Sequence, residues 1–373
     1  MNKKGILIFS GYNDREIIAF CRFCANHHIP FFIIAANKKD KILLSRYRAN
    51  VIHIRNTSEL SVDILKKYRS ILSEKFSCEE AIILPSTEFL NRFLLQKRET
   101  LESMGYLIPL CPREVYETIS DKYLFCHLCQ QYGIITPREI NPREPLHPPL
   151  VVKPKTYFVG EGTEVNIKPR IIHHIEDINE LRSLILSKDV FIQEFVEGRS
   201  IYLLFYFDKN RSFWVYSQEN FIQQYGGRSI IAARSSNFHN QAFTQSFIKL
   251  FQAIDFQGLV MVEVRYTGEN FCMIEANPRL WGPSQLVNDA GMKLFAQWAK
   301  DLGLLENIPH YEYQEGVEYF WSGGILEDAR LGNSVIFHNY SKERFFDEYE
   351  KWLQKEVYLN TDTIDIFFQE LHA

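Results

Sequence analysis

The chain has 373 residues, of which 46% are hydrophobic and 24% charged, and its net charge is −4. This length predicts two or three packed units of ordinary globular composition. The scattered Lys and Arg exclude the basic stripe of a nucleic-acid or membrane-surface binder, and no run reaches the roughly 20 apolar residues that span a bilayer. We therefore expect neither nucleic acid nor a membrane as a partner.

The first third of the chain alternates between two kinds of segment. Strand-like and helix-like runs follow one another at residues 5–9, 14–28, 31–36, 51–54, 63–75 and 81–85. The first run, behind Lys3 and Lys4, is too short for a signal peptide, so we expect a cytoplasmic protein. Such alternation predicts a small parallel α/β unit over residues 1–118.

Seven cysteines, an odd number, indicate reduced thiols. Two Cys-x-x-Cys pairs, Cys21/Cys24 and Cys126/Cys129, could together bind zinc through four sulfurs. Both pairs fall in helix-like segments without the glycine-rich knuckle of a metal turn. Cysteine is often a core residue, so we favour burial over zinc.

A boundary near Cys111-Pro112 opens the larger part of the chain. A helix is expected to begin at Ser120-Asp121-Lys122, with Ser120 or Asp121 as its N-cap. The remaining expected strands lie at 150–154, 165–172, 190–196, 201–207, 259–266 and 271–276, and the helices at 176–188, 243–254 and 289–303.

The strands at 259–266 and 271–276 predict a hairpin that carries two acids. A three-residue loop would place Thr267 opposite Phe271 and Glu263 opposite Glu275, whereas a four-residue loop would put the acids on different faces. Facing carboxylates repel each other, and a cation between them removes the conflict. With the amide oxygen of Asn277 they form a donor set suited to Mg²⁺. The alternative is an exposed hairpin with charges on its outer face.

The set of Glu263 with Glu275-Ala276-Asn277-Pro278-Arg279 resembles the metal motif of the ATP-grasp superfamily. Upstream segments follow the family's order over residues 1 to 300. They are Ser-Asp-Lys at Lys122, Val-Lys-Pro at Lys153, the loop of Gly160 to Thr163, and the segment 193–198.

This resemblance implies a fold and a set of roles. It implies an α/β and α+β protein: a pre-ATP-grasp domain at 1–118, an ATP-grasp domain of two α+β subdomains at 119–310 with a lid near 150–195, and an extension at 311–373. It also implies that ATP and Mg²⁺, with Mn²⁺ as a substitute, are the cofactors. The implied metal ligands are Glu263, Glu275 and Asn277; the ATP contacts are Lys122, Lys153, Gly160, Gly162, Glu194, Val196 and Glu197; and the catalytic residue is Arg279.

Two departures from the family pattern occur. Lys155-Thr156-Tyr157-Phe158 replaces the usual small residues of the phosphate loop. Arg199-Ser200 stands where the family has its ribose-binding acid, and Glu197 is the expected substitute.

Arginines near the hairpin are candidates for binding substrate. Gln224-Tyr225-Gly226-Gly227-Arg228 resembles an acceptor loop of the family's carbamoyl-phosphate-synthase-like branch, so Arg228 or Arg234 could clamp a carboxylate. The alternative is a tight turn with surface arginines. Arg265 is either a third substrate contact or a counter-charge to the acids. Trp281 either shapes a pocket or belongs to the core.

Three functions agree with these observations. The leading one is a carboxylate–amine ligase that uses ATP and small molecules, amino acids among them. The others are a non-catalytic ATP-binding or regulatory protein and a bicarbonate-using carboxylase. The tail at 311–373 has three open roles: capping the fold, forming a homodimer contact, or closing the substrate site.

Overall fold

The computed structural model describes residues 4–56, 60–156, 158–159, 163–164 and 169–372. Its N-terminal part is a five-stranded sheet with helices around it. The strands are β1 Lys4–Phe9, β2 Phe31–Ala35, β3 Val51–Ile54, β4 Glu80–Ile83 and β5 Tyr106–Leu107, and the helices are α1 Asp14–Asn26, α2 Val62–Phe76, α3 Glu88–Gln96 and α4 Arg98–Ser103. Two further helices, α5 Arg113–Ser120 and α6 Lys122–Gln131, follow along the chain and belong to the core of the largest sheet, described below.

All neighbours in this sheet run parallel, in the order β3-β2-β1-β4-β5. Alternate side chains of β1 enter two different cores: Ile6 and Ile8 one, Leu7 and Phe9 the other. Burial on both faces explains why β1 is a continuous apolar run. The prediction of a parallel α/β unit is confirmed. The turn after β1 packs against the residues that follow β2. Ser10 Oγ donates to Asp40 at 2.7 Å, and a Cβ at Gly11 would collide with Ala36.

A second, smaller sheet is antiparallel and has the order β10-β7-β11-β6. The elements of this region are β6 Glu139–Ile140, β7 Leu150–Pro154, β8 Phe158–Val159, β9 Thr163–Glu164, β10 Arg170–Ile172, α7 Ile175–Glu180, α8 Arg182–Ile185 and β11 Val190–Glu194. The helix expected at 176–188 is two short helices, and their apolar side chains Ile178 and Ile185 pack on the sheet. Gly160 and Gly162 lie outside the described residues.

The largest sheet has seven antiparallel strands in the order β16-β15-β12-β13-β14-β17, with β18 paired to β13. Its strands are β12 Arg199–Phe207, β13 Phe213–Gln223, β14 Ile230–Ser236, β15 Gly258–Tyr266, β16 Phe271–Asn277, β17 Glu318–Phe320 and β18 Ile336–Phe337. The remaining helices are α9 Thr244–Ala253, α10 Gln285–Asp289, α11 Leu294–Asp301, α12 Ser322–Arg330, α13 Lys342–Asp347, α14 Tyr349–Leu353 and α15 Ile364–His372.

The two faces of this sheet differ. One face carries Val262, Val264 and Leu203 into a core with α6 and α9. On the other face, Leu204 and Tyr206 belong to the core that includes α11, while Glu263 and Arg265 make the end of the face near the β15–β16 turn polar. The described residues thus place the two hairpin acids at a polar end of this face, where a charged ligand can bind.

The tail, residues 311–373, packs with both the five-stranded and the seven-stranded sheet. Residues of β17 pair with β14, and the buried Tyr319, Trp321, Trp352 and Tyr358 join the main core. All seven cysteines are free and buried, and the two Cys-x-x-Cys pairs lie in different cores. Burial, the favoured interpretation, is what the structure shows. Within the part of the chain that is described, no helix has the length and apolar character to cross a membrane.

Candidate active site

The two hairpin acids face each other, but not through the expected turn. Tyr266, not Thr267, is opposite Phe271, so the loop has four residues and the predicted three-residue loop is wrong. The register then shifts by one, because Ile274 is an extra residue between the pairs Val264–Met273 and Glu263–Glu275. This β-bulge brings Glu263 opposite Glu275, where the regular ladder would have put Ile274.

Lys153 reaches the bulge from the smaller sheet. Its Nζ donates to the carbonyl oxygen of Ile274 at 3.2 Å, a backbone group that a bulge removes from regular pairing. The side chain is buried. Burial, together with the nearby charge of Lys122, lowers the pKa of Lys153 to about 8 against the attraction of Glu275. Lys153, which the resemblance implies to be an ATP contact, therefore lies beside the acid pair.

Lys122 enters from the start of α6, and its ammonium contacts Oε2 of Glu275. Asp121 occupies the N-cap position, but its side chain makes no cap hydrogen bond to the helix. The carboxylate instead accepts from Arg92 Nη2 at 2.9 Å. The N-cap position agrees with the prediction, and an ion pair between α3 and α6 replaces the capping contact there.

Asn277 and Arg279 follow on the same segment. The amide nitrogen of Asn277 donates to Oε1 of Glu275 at 2.9 Å, and Arg279 Nη2 donates to the amide oxygen of Asn277 at 3.3 Å. Arg279 Nη1 also donates to the Leu280 carbonyl at 3.0 Å, which turns its guanidinium back toward the end of β16. One short segment thus presents an acid, an amide and a guanidinium in succession.

The two acids have opposite pKa shifts. Burial alone would raise the pKa of Glu275, but the charge and hydrogen bond of Lys122, with the amide of Asn277, lower it to about 2. Burial raises the pKa of Glu263 above its ordinary value, and Arg265 opposes that shift. Neighbouring carboxylates in different environments commonly separate in this way.

The donor set fits a hard divalent cation. Among the described residues there is no cluster of three or more His, Cys, Asp or Glu around one point. The candidate site therefore rests on Glu263, Glu275 and the amide oxygen of Asn277, which are oxygen donors of the kind that Mg²⁺ takes with water and phosphate.

The segment expected to bind adenine follows β11. Glu194 ends the strand, and its backbone N–H donates to the Arg138 carbonyl at 3.0 Å. Val196 is half-buried and Glu197 exposed, and both line a cavity of about 550 Å³ that Arg265 also borders. Gly198 has a φ of 147°, and a Cβ there would collide with the Tyr266 carbonyl. This close approach holds the segment against the β15–β16 hairpin.

The three candidate substrate arginines separate in the structure. Arg265 Nη2 donates to Glu263 Oε1 at 2.8 Å, which is the counter-charge arrangement. Arg228 pairs with the buried Asp328 of α12, although 46% of its side chain is exposed. Arg234 pairs with Glu318, and its register, through Glu219 and Ile201 to Val264, puts it on the sheet face opposite to Glu263. Arg234 therefore does not share the cleft of the acids.

Three further residues near the site have defined contacts or burial. Trp281 is 2% exposed and belongs to the core, which is one of its two expected roles. Arg199, at the position of the family's ribose acid, donates to both oxygens of Glu219 at 2.6 and 2.7 Å. His338 of the tail, which no motif marks, contacts Arg265 at 3.1 Å. Only the pairing of β18 with β13 shows that His338 lies near the site.

Comparison with known proteins identifies a domain in the middle of the chain. Residues 119–283 match the family model of the ATP-grasp domain, so this part of the chain is an ATP-grasp domain. No sequence among curated proteins matches the chain.

Solved structures share the fold over most of the chain. Pyruvate carboxylase of Rhizobium etli gives a TM-score of 0.59 at 14% identity, over 85% of this chain and 30% of that one. The biotin carboxylase domain of Hydrogenobacter thermophilus 2-oxoglutarate carboxylase, solved with MgADP and bicarbonate, gives 0.58 at 15%, over 85% and 73%. An L-amino acid ligase from Bacillus licheniformis gives 0.58 at 16%, over 82% and 75%. This chain thus spans less than a third of the pyruvate carboxylase, and at these identities the likeness is one of fold.

Proposed function

We propose that the protein is an ATP-dependent ligase that activates a carboxylate as an acylphosphate and couples it to an amine, releasing ADP and phosphate. The observation that supports this is the approach of Lys122 and Lys153, from two different elements, to the acid pair on β15 and β16. Phosphoryl transfer depends mainly on positioning and on neutralising charge, which these groups supply. The ATP-grasp domain gives them a nucleotide to act on.

Each group has a proposed role. Lysine ammonium groups contact the phosphates as point charges, and the guanidinium of Arg279 stabilises charge on the group in transfer. The backbone of the segment after β11 binds the adenine edge. The proposed phosphate contacts are Lys122 and Lys153, the adenine contacts are the Glu194 carbonyl and the Val196 N–H, the ribose contact is Glu197, and the ligands of Mg²⁺ or Mn²⁺ are Glu263, Glu275 and Asn277.

The proposed reaction has two steps. A carboxylate oxygen of the substrate forms a bond to the γ-phosphorus, and the bond from that phosphorus to ADP breaks. The amine nitrogen then attacks the acyl carbon, phosphate leaves with the electron pair of the broken carbon–oxygen bond, and the nitrogen loses a proton. Of the arginine candidates we keep Arg228 as a substrate contact, because part of its side chain is exposed.

We also keep the division into residues 1–118, 119–310 and 311–373 as a proposal. The first sheet and the ATP-grasp match support a boundary near residue 118. A chain with these units would act in the cytoplasm, where ATP is abundant, on small molecules.

ADP release tests the proposal. Purified protein with ATP and Mg²⁺ is incubated with pairs of amino acids and other small carboxylates and amines, and ADP and the products are measured by coupled assay and mass spectrometry. Glu275→Gln and Arg279→Ala should each abolish substrate-dependent ADP release while circular dichroism shows an intact fold. Full activity in both variants would make the site assignment wrong.

Two other outcomes would redirect the proposal. Labelled bicarbonate appearing in a product would favour a carboxylase, the activity named for two of the proteins that share the fold. Tight ATP binding by calorimetry, without ADP formation over the whole substrate set, would favour a regulatory protein.

A further inference from the structure

The tail brings one histidine to the polar end of the large sheet. β18 pairs with β13, Phe337 opposite Ile222 and Ile336 opposite Gln223. β14 pairs with these β13 residues on one side. β18 therefore lies on the other side, just beyond Ser200, the first residue of β12 that pairs with β13. His338 follows directly, and its backbone N–H donates to the Phe221 carbonyl at 2.8 Å. This placement puts its ring beside β15.

The hydrogen bonds of the His338 ring have one consistent direction. Arg265 Nη1 lies 3.1 Å from His338 Nδ1, and because a guanidinium can only donate, Nδ1 accepts. The ring proton is therefore on Nε2, which donates to Gln223 Oε1 at 2.9 Å. The Gln223 amide nitrogen in turn donates to the carbonyls of Gly227 and Arg228, both at 2.9 Å.

The other end of this chain of bonds is the candidate metal site. Arg265 donates from Nη1 to His338 and from Nη2 to Glu263 Oε1 at 2.8 Å. Its side chain is 14% exposed and that of Glu263 is 8% exposed, so both charges depend on fixed partners. Burial and the charge of Arg265 hold the pKa of His338 near 3, which keeps Nδ1 available as an acceptor.

His338 also lies inside the candidate cleft. Together with Arg265 it lines the cavity of about 550 Å³ that Val196 and Glu197 border. The ring therefore reaches the same space as the proposed nucleotide-binding segment, although it belongs to the tail.

We propose that His338 is a positioning residue for the metal site. It fixes the guanidinium of Arg265, and Arg265 holds the Glu263 carboxylate in the orientation in which it would serve as a metal ligand. This inference rests on the proposed function, because it takes Glu263 to be a metal ligand. Residues that orient metal ligands commonly change metal affinity by about 10- to 100-fold when they are replaced.

Two substitutions separate the two ring nitrogens. In His338→Asn the amide oxygen replaces Nδ1 as acceptor for Arg265, and the contact to Gln223 is lost. In His338→Gln the amide reaches the position of Nε2 and contacts Gln223, and the acceptor for Arg265 is lost. The Gln variant thus tests the contact to Arg265 and the metal site, and the Asn variant tests the contact through Gln223 to the carbonyls of Gly227 and Arg228.

The measurement is the Mg²⁺ dependence of ADP binding by the full chain, followed by calorimetry. We expect His338→Gln to raise the half-saturating Mg²⁺ concentration about 10-fold or more and His338→Asn to change it less than about 3-fold. Arg265→Gln, as a second variant, should raise it at least as much as His338→Gln. His372→Asn, at the exposed end of α15, is the matched control and should behave as wild type. Thermal unfolding confirms that each variant is folded.

The outcomes distinguish the two proposals. If wild-type protein shows no Mg²⁺-dependent ADP binding, the proposed function fails and the inference fails with it. If wild type binds MgADP and the Asn and Gln variants respond equally, or neither responds, the role of His338 is wrong and the proposed function stands.

Discussion

At the scale of single residues, Lys153 is a lysine whose burial makes its charged form less favourable in the folded protein. Its pKa is about 8, whereas an unfolded lysine has a pKa near 10.5. Between these values the unfolded chain binds a proton that the folded chain has released, so unfolding becomes less favourable as pH rises. Relative to Lys153→Met, wild type should gain about 2 kcal/mol of unfolding free energy between pH 8 and pH 10.

Urea unfolding of both proteins at several pH values measures this gain. Lys66→Met, at an exposed position on α2, is the control and should show no such dependence. A wild-type curve parallel to that of Lys153→Met would mean that Lys153 titrates as an ordinary solvated lysine, and the buried contact to Ile274 would then be wrong.

Residue chemistry was the part of the site that sequence could predict. The types and spacing of Glu263, Glu275 and Asn277 indicated an oxygen site, and the resemblance of Val-Lys-Pro to the family's segment implied an ATP contact at Lys153. His338 could not be predicted, because it lies 73 positions from Arg265 and depends on where a two-residue strand pairs. The face on which Arg234 lies could not be predicted, because it depends on strand register across three neighbours.

At the scale of elements, the hydrogen-bonded pairing of β15 with β16, rather than the length of the loop between them, places Glu263 opposite Glu275. The β15–β16 loop is exposed, and the pairing of Glu263 with Glu275 is restored by the bulge at Ile274. One glycine inserted between Gly268 and Glu269 should therefore leave Mg²⁺-dependent ADP binding unchanged and cost less than about 1 kcal/mol of stability. A glycine inserted between Ile274 and Glu275 should abolish that binding, since it moves Glu275 out of register.

Both insertions are compared by calorimetry and thermal unfolding. Loss of binding in the loop insertion, with an intact fold, would show that loop length sets the register after all.

The existence of the strands was predictable from their apolar runs, as the agreement at 150–154 shows, because burial imposes that pattern. The bulge was not, since a single extra residue leaves no mark on an apolar strand.

At the scale of the whole molecule, the tail joins the first sheet to the large one. Arg22 of α1 donates to both oxygens of Asp362 at 2.8 and 2.9 Å, and Lys41 contacts Glu370 at 2.7 Å. The guanidinium of Arg15 lies 3.8 Å above the Trp321 ring. These contacts connect the two ends of the chain across its main core, so the capping role of the tail is the one that its contacts favour.

Removal of the tail should therefore unfold the protein rather than merely inactivate it. Each buried aromatic side chain contributes about 1.5–3 kcal/mol, so the eight buried aromatics that the described tail places in the main core contribute about 12–24 kcal/mol together, which is comparable with or larger than the stability of an ordinary domain, about 5–15 kcal/mol. We expect a chain ending at residue 310 to be insoluble or to lack a cooperative thermal transition. Asp362→Asn in the full chain removes one contact to Arg22 and should stay folded with a loss of about 3 kcal/mol. A truncated chain that melts at the temperature of the full chain would show that the tail does not support the core, and would leave a homodimer contact or closure of the substrate site as its role.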